Sequence, residues 1–250
     1  MKYAQKVHIG TSGWYYQHWK GTLYPEELSE KDYLKFYSRN FTTAEINNTF
    51  YQMPEKKTLS CWRDSVPSGF IFAVKASRYI THIKKLRDSK KSLFSLLTRI
   101  DVLNEKLGPV LFQLPPRWHK NTERLRYLLD ILPGEYRYTF EFRDSSWFCA
   151  EIYDMLEENQ CAFCIYDLDG MLSPKKITAD FIYIRLHGPD GPYKGEYAVS
   201  VLAGWAGAFS AWSRQGKEIY CYFDNDEKGF AGKNALELKE MIGGKRNYDK

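Results

Sequence analysis

The chain has 250 residues, and 36 Lys and Arg against 31 Asp and Glu leave a formal charge of only +5. A hydrophobic share of 44% and a charged share of 27%, without low-complexity tracts, exclude disorder, collagen and coiled coil as dominant states. The mild excess permits a nucleic-acid or other anionic partner without requiring one. No apolar run approaches the ~20 residues of a membrane-crossing helix, so no membrane partner is expected. The stretch from Met1 to Gly10 lacks the apolar middle of a secretory leader, and the expected location is the cytoplasm.

Eight short runs rich in β-branched, aromatic and aliphatic residues read as strands. In chain order they are Val7 to Thr11, Thr43 to Asn47, Phe70 to Lys75, Val110 to Leu114, Tyr138 to Arg143, Ala162 to Asp167, Phe181 to His187, and Glu218 to Asp224. Helical spacing of apolar residues separates most of them: Tyr33 to Tyr37, Leu93 to Leu107, Leu125 to Leu132, Ile152 to Leu156, Leu202 to Trp212, and Ala235 to Met241. After the second run only a short turn, Leu59 to Arg63, is expected. The connection from Leu168 to Asp180, with Gly170 and Pro174, contains little that could be helical. Strand and helix alternating eight times over 250 residues predict an α/β protein, a single (β/α)8 TIM-barrel domain over 1–250, with short or missing helices after strands two and six. The competing doubly wound sheet needs a Gly-rich phosphate turn after its first strand, and Gly10-Thr11-Ser12-Gly13-Trp14 has the wrong glycine spacing.

Cys61, Cys149, Cys161, Cys164 and Cys221 form an odd set in a chain too large to need disulfides. The close pair Cys161 and Cys164 lies on a strand, where positions three apart face opposite ways, so buried free thiols are expected.

Such barrels place their sites at the carboxyl ends of the strands. Those ends are polar throughout: Thr11 and Ser12, Glu45 and Asn47, Lys75, Gln113, Glu141 and Arg143, Asp167, Arg185 and His187, and Asp224 to Asp226 with Asn225 between. Alternation along the strands turns Tyr183, Arg185 and His187 inward while Ile182, Ile184 and Leu186 face the helices. The same parity turns Thr139, Glu141 and Arg143 inward. Burying so many charges is costly without pairing or a ligand. Glu141 and Arg143 therefore read either as a buried ion pair or as a catalytic carboxylate beside a substrate-binding cation. Lys75, Arg143 and Arg185 suit a phosphate or carboxylate, or else they neutralise Glu45, Glu141 and Asp167.

A divalent metal on Glu45, Glu141, Asp167, His187, Asp224 and Asp226 is disfavoured by the histidine supply. Of His8, His18, His82, His119 and His187 only the last ends a strand, and there is no paired histidine motif. No metal ligand and no cofactor are assigned. His82, in a basic stretch with Arg78, Lys84, Lys85 and Arg87, is either an acid/base group at the rim or a surface residue. The run from Lys84 to Lys91 reads first as a solvated face and second as a nucleic-acid patch.

Several segments resemble one known family: Ile9-Gly10-Thr11-Ser12-Gly13-Trp14, Glu45 to Tyr51, Lys106-Leu107-Gly108-Pro109, Phe112-Gln113-Leu114-Pro115-Pro116, Glu141-Phe142-Arg143 with Ser146-Trp147, Arg185-Leu186-His187-Gly188, and Gly229-Phe230-Ala231 before Asn234-Ala235. In this order they are similar to the YecE-like proteins of bacteria and archaea, a domain of unknown function. The likeness runs from the first strand to the last helix and implies a single (β/α)8 barrel. Asp224-Asn225-Asp226 departs from it, since the family more often has two asparagines before the aspartate. The resemblance supplies no activity. Its barrel is similar to metal-dependent xylose isomerases and apurinic endonucleases, and that likeness is one of fold alone.

The expectation is an enzyme, a hydrolase or an isomerase, acting on a small anionic phosphoester or sugar derivative by acid/base chemistry. Glu141 and His187 would be catalytic. Thr11, Ser12, Glu45, Asn47, Lys75, Gln113, Arg143, Asp167, Arg185 and Asn225 would bind substrate. Two alternatives stay open, a non-catalytic nucleic-acid or nucleotide binder and a metal-dependent hydrolase. Oligomeric state is not legible.

Overall fold

A computed structural model describes residues 7–243 of the chain, so Met1 to Lys6, read above for a leader, lie outside the described residues. In order they form β1 (Val7–Thr11), α1 (Tyr33–Asn40), β2 (Thr43–Ile46), α2 (Asn48–Tyr51), α3 (Lys56–Ser65), β3 (Ile71–Lys75), α4 (Lys90–Ile100), β4 (Leu107–Gln113), α5 (Thr122–Asp130), β5 (Tyr138–Glu141), α6 (Ala150–Glu158), β6 (Ala162–Leu168), β7 (Met171–Leu172), β8 (Phe181–Leu186), α7 (Val199–Arg214), β9 (Glu218–Phe223) and α8 (Phe230–Gly243). β1 to β6, β8 and β9 are the eight expected strands, and the fold is the (β/α)8 fold of TIM barrels.

Two local features differ from the reading of the sequence. The expected turn after β2 is the centre of a ten-residue helix, α3, preceded by the single turn of α2. The apolar repeat from Leu93 to Leu107 is broken: α4 stops at Ile100, a 3-10 segment follows to Lys106, and Asn104 has φ 51°, outside helical space. Leu107, Gly108 and Pro109 already belong to β4. After β6 the expected absence of a helix holds, and the connection folds back as the two-residue strand β7.

The chain divides into two compact units, one comprising the residues up to Ala44, Ile165–Ser173 and the chain from Asp180 on, the other Glu45–Cys164 and Pro174–Ala179. In the first, β1 runs parallel to β9 in the register Val7↔Ile219 to Thr11↔Phe223. β9 runs parallel to β8 from Phe181↔Glu218 to Leu186↔Phe223. In the second, β3, β4, β5 and the start of β6 are successive parallel neighbours, with Lys75 opposite Leu111 and Gln113 opposite Glu141. Register slips between Phe72 and Val74, which face Leu107 and Val110. Gly108 and Pro109 occupy the slip, where proline has no N–H for the ladder and a bulge relieves the pairing.

Buried strand residues show the expected alternation. Phe112 stacks on Phe140 at 5.3 Å and Phe142 on Trp147 at 4.8 Å, while Thr139 and Glu141 between them are fully buried. Tyr183 and Tyr222 pack against each other at 5.2 Å. All five cysteines are free; Cys161, Cys164 and Cys221 are buried, and burial pushes the Cys161 thiol up to about 12. Among the described residues no helix is long and apolar enough to cross a membrane.

Backbones come closest at Gly10. A Cβ there would lie 2.2 Å from the Thr43 carbonyl oxygen and 2.9 Å from the Tyr37 hydroxyl. The phenol of Tyr37 donates to Thr43 O at 3.0 Å and accepts from Thr11 N at 2.9 Å, so neither neighbour is free to retreat. Gly10→Ala is expected to cost about 1–3 kcal/mol, as overpacking does. Urea unfolding with an unchanged slope would read this as a lower midpoint, and an unchanged midpoint would contradict the crowding.

Candidate functional site

The first unit buries a chain of hydrogen bonds at the carboxyl ends of β1, β8 and β9. Arg185, 1% exposed, donates from Nη2 to Ser12 Oγ at 3.0 Å and to Asp224 Oδ2 at 3.1 Å. His187 Nδ1 lies 2.9 Å from the same carboxylate oxygen, and its Nε2 lies 3.3 Å from Arg185 Nη1. A guanidinium has no acceptor, so the close approach places the imidazole proton on Nδ1, toward Asp224, with Nε2 as acceptor. Tyr166 and Tyr193 meet the ring edge-on at 6.2 and 5.7 Å.

Asp167 ends β6 beside this network. Burial raises its carboxyl above the usual range, opposed by His187, and its Oδ1 is buried without a hydrogen-bond partner. A carboxyl that retains its proton more readily suits a donor role. Asp226 is lifted further, to about 6, by burial, although Trp19 Nε1 donates to it at 2.6 Å and His18 Nε2 lies 3.0 Å away.

The second unit gathers a different set at the ends of β3 and β5. Arg143 Nε donates to Glu141 in a buried ion pair, Glu141 being fully buried and Arg143 9% exposed at its side chain. Of the two readings of these residues, the structure realises the pair. Cys164 Sγ lies 4.0 Å from the other Glu141 oxygen. Lys75, 9% exposed, sets its Nζ 4.3 Å above the Phe50 ring, a cation–π contact that favours the charge where water is scarce. Phe50 in turn meets His82 edge-on at 4.9 Å.

His82 is the residue whose part the sequence left undecided. It sits on a π-helical turn, Tyr79–Ile83, which follows β3 and brings the imidazole back over the strand end. Its Nδ1 is 2.9 Å from Thr81 Oγ1. Burial holds its pKa down at about 4, reinforced by Lys75, Arg78 and Arg143 and opposed by Glu141. The ring is therefore neutral at pH 7, a proton acceptor in a field of cations. The signal in the sequence was a histidine among Arg78, Lys84, Lys85 and Arg87 after a strand, but a π turn leaves no pattern of its own.

Other expected residues have structural partners. The Thr11 hydroxyl donates to Gly13 O at 2.5 Å and lies 2.9 Å from Tyr37 OH. Gln113 Nε2 donates to Leu114 O at 3.2 Å. Asn225 is fully buried, its Nδ2 donating to Gly195 O at 2.9 Å and Asn234 Oδ1 at 3.0 Å. Glu45 is fully buried within β2, and Asn47 precedes α2 with no side-chain cap bond. Among the described residues, no group of three or more His, Cys, Asp and Glu side chains is arranged to hold a metal ion.

The arginine network is expected to matter for stability first. Asp224→Ala leaves the buried Arg185 guanidinium without its carboxylate, and removal of one partner from a buried pair costs about 3–5 kcal/mol. Asp224→Asn keeps an acceptor oxygen and is expected to cost less. Chemical denaturation of both variants checks the order, and an equal loss would remove the ion pair as its cause.

Residues 8–249 match the family described as "Protein of unknown function DUF72". The UPF0759 protein YunF of Bacillus subtilis (strain 168) is 25% identical across 94% of each chain. The UPF0759 protein YecE of Escherichia coli (strain K12) is 30% identical over 57% of this chain and 50% of its own length. Among solved structures, a DUF72 family protein from Thermotoga maritima MSB8 superposes with a TM-score of 0.87 at 30% identity, covering 95% of this chain and 99% of that one. A DUF72 family protein from Enterococcus faecalis V583 reaches 0.82 at 20% identity over 96% and 97%, a likeness of fold. With nearly its whole length matched, the chain belongs to the DUF72 family, the YecE-like barrels of unknown function.

Proposed function

We propose that the protein is a cytoplasmic enzyme acting on a small anionic substrate, a phosphoester or sugar-derived acid, by acid/base chemistry at the ends of β3 and β5. One observation carries this reading: a neutral imidazole, His82, stands among the cations Lys75, Arg78 and Arg143, with the carboxylate Glu141 paired to one of them. Cations grouped beside a half-buried acceptor ring suit a negatively charged ligand, which Lys75 and Arg143 would hold.

The same group would compete with Glu141 for the Arg143 guanidinium. The exchange sets the Glu141 carboxylate beside the bound substrate, where it would act as base. His82 supplies a second acceptor that needs no deprotonation at neutral pH. In the first unit, Asp167 and the His187–Asp224 pair support the same class of chemistry, with Asp167 as donor and Arg185 and Ser12 as fixed partners.

Two measurements test this. His82 in the free protein is expected to titrate at about 4, and its neutral burial makes stability fall as pH drops from the ordinary histidine value of ~6.5 toward 4, because the unfolded chain then binds the extra proton. Inorganic phosphate, as a probe at constant ionic strength, should raise the His82 value by offsetting Lys75 and Arg143; a ring resonance that ignores phosphate would sink the anion site. Against a panel of phosphate esters and sugar acids, Glu141→Gln should abolish any turnover found while Lys75→Met chiefly raises KM. An unchanged kcat in Glu141→Gln would remove Glu141 from the mechanism.

A further inference from the structure

Beyond the ends of β3 and β5, the second unit carries a separate basic concavity. It has a volume of about 660 Å³ and is lined by Ile83, Lys84, Lys85, Arg87, Asp88, Trp118, Asn121 and Arg124. That volume lies within the ~300–1,000 Å³ of small-molecule sites. Four of its walls are cations. Among the described residues none of the four has a carboxylate within salt-bridge distance; Asp88 lines the hollow, and Glu123 lines an adjoining depression.

The cations are positioned by other means. Lys85 Nζ and the Arg124 guanidinium stand 5.9 and 6.0 Å from the Trp118 ring, and Lys84 Nζ lies 5.5 Å from the Tyr79 ring. Lys84 donates to Asp88 O at 3.1 Å and Arg124 to Lys85 O at 3.4 Å. Trp118 is itself fixed, since its carbonyl accepts from Trp147 Nε1 at 2.6 Å. Cation–π and carbonyl contacts orient a charge without neutralising it. Lys84, Lys85 and Arg124 therefore keep their positive charge beside the hollow, which Arg87 also lines.

The backbone beneath them is strained. Lys85, Leu86 and Asp88 adopt φ of 46°, 66° and 45°, and Arg117, next to Trp118, adopts 58°. None is glycine, and Leu86 is fully buried, which anchors the loop in this conformation. Such strain persists only where the surroundings over-determine it, and it gathers at ligand sites. The preceding turn is π-helical, another costly local form. The nine-residue helix α5 also starts at the concavity, where Asn121 Oδ1 caps Arg124 N at 2.9 Å and the positive end of the helix adds to the field.

We propose that this concavity binds a small polyanion, a molecule carrying two or more linked phosphate groups. Four separated cations match several charges along a short chain better than one compact ion. Trp118, only 8% exposed and already covered by its cations and Trp147, offers no open face for a base, so the recognised element is the phosphate chain. The inference uses no residue of the site around His82 and stands or falls independently of it.

Isothermal titration of the intact protein with inorganic triphosphate at low ionic strength is the test. In Lys75→Met, which lacks the anion site around His82, triphosphate is expected to bind one to one, and more tightly than orthophosphate. The double variant Arg87→Gln/Arg124→Gln should weaken it at least roughly tenfold, since each lost charge-assisted contact is worth that much. Lys84→Gln/Lys85→Gln is a second pair in case the first fails to fold, as judged by circular dichroism. Affinity equal in the wild type and both double variants, no heat at low salt, orthophosphate binding as tightly, or a short oligonucleotide binding far more tightly than triphosphate would each overturn the proposal; the last would make the face a nucleic-acid surface.

Discussion

A charge taken out of water must find a partner, and the structure is arranged around that constraint. Removing an ion from water costs several kcal/mol even after relaxation, and the described residues bury Arg185, Glu141 and Lys75 to 9% exposure or less. Each is answered differently. Arg185 and His187 share the oxygen of Asp224, which joins the ends of β8 and β9. Glu141 is answered two residues along its own chain by Arg143, on the same side of the strand. Lys75 uses a ring, Phe50, and its backbone carbonyl accepts from Thr49 at 2.5 Å, tying α2 to β3.

The same constraint separates the family's motif residues into two kinds. Lys106, in one of the family's segments, donates from Nζ to Arg63 O at 2.6 Å and Val66 O at 2.8 Å, capping the carbonyls at the end of α3. Trp147 and Ser146 hold the loop before α5 through Trp118 O and Lys120 N. Asn234 is fully buried and joins α8 to the loop after β8, accepting from Tyr197 N at 3.0 Å and Asn225 Nδ2 at 3.0 Å. These side chains serve backbone groups of the fold. Arg185, His187, Glu141 and Arg143 bond one another's side chains and those of Ser12 and Asp224.

How much was legible follows from the range over which each feature is encoded. Strands were readable because period-two alternation and β-branched runs are local: β1, β2, β3, β8 and β9 begin within one residue of where the sequence places them. Parity then turned Glu141, Arg143, Arg185 and His187 to the polar side before any coordinates. The ten residues of α3 were hidden, because Lys56, Lys57, Arg63 and Asp64 leave only a short apolar stripe around the buried Leu59. Asn225 read as a ligand-binding group because a strand-end amide is ambiguous until Asn234, nine residues on, closes over it. His82 was undecided for a similar reason, since its neutrality depends on burial and, beyond its neighbours Lys75 and Arg78, on Arg143, which is distant in sequence.

His82 and the basic concavity also show two ways of carrying positive charge after β3. Around His82 the cations depress the proton affinity of a neighbour, so the field acts on a group that could take part in chemistry. Around Trp118 the cations act on rings and carbonyls, which have no proton to lose, so the field remains available to a ligand. One loop supplies both, because the π turn at Tyr79–Ile83 directs His82 back to the strand end and the left-handed residues Lys85 and Leu86 direct the next side chains away from it. A regular helix from Ser77 onward would repeat every ~3.6 residues and place Arg78, His82 and Lys85 on one face. The irregular backbone is what divides a single basic run into a reactive part and a binding part.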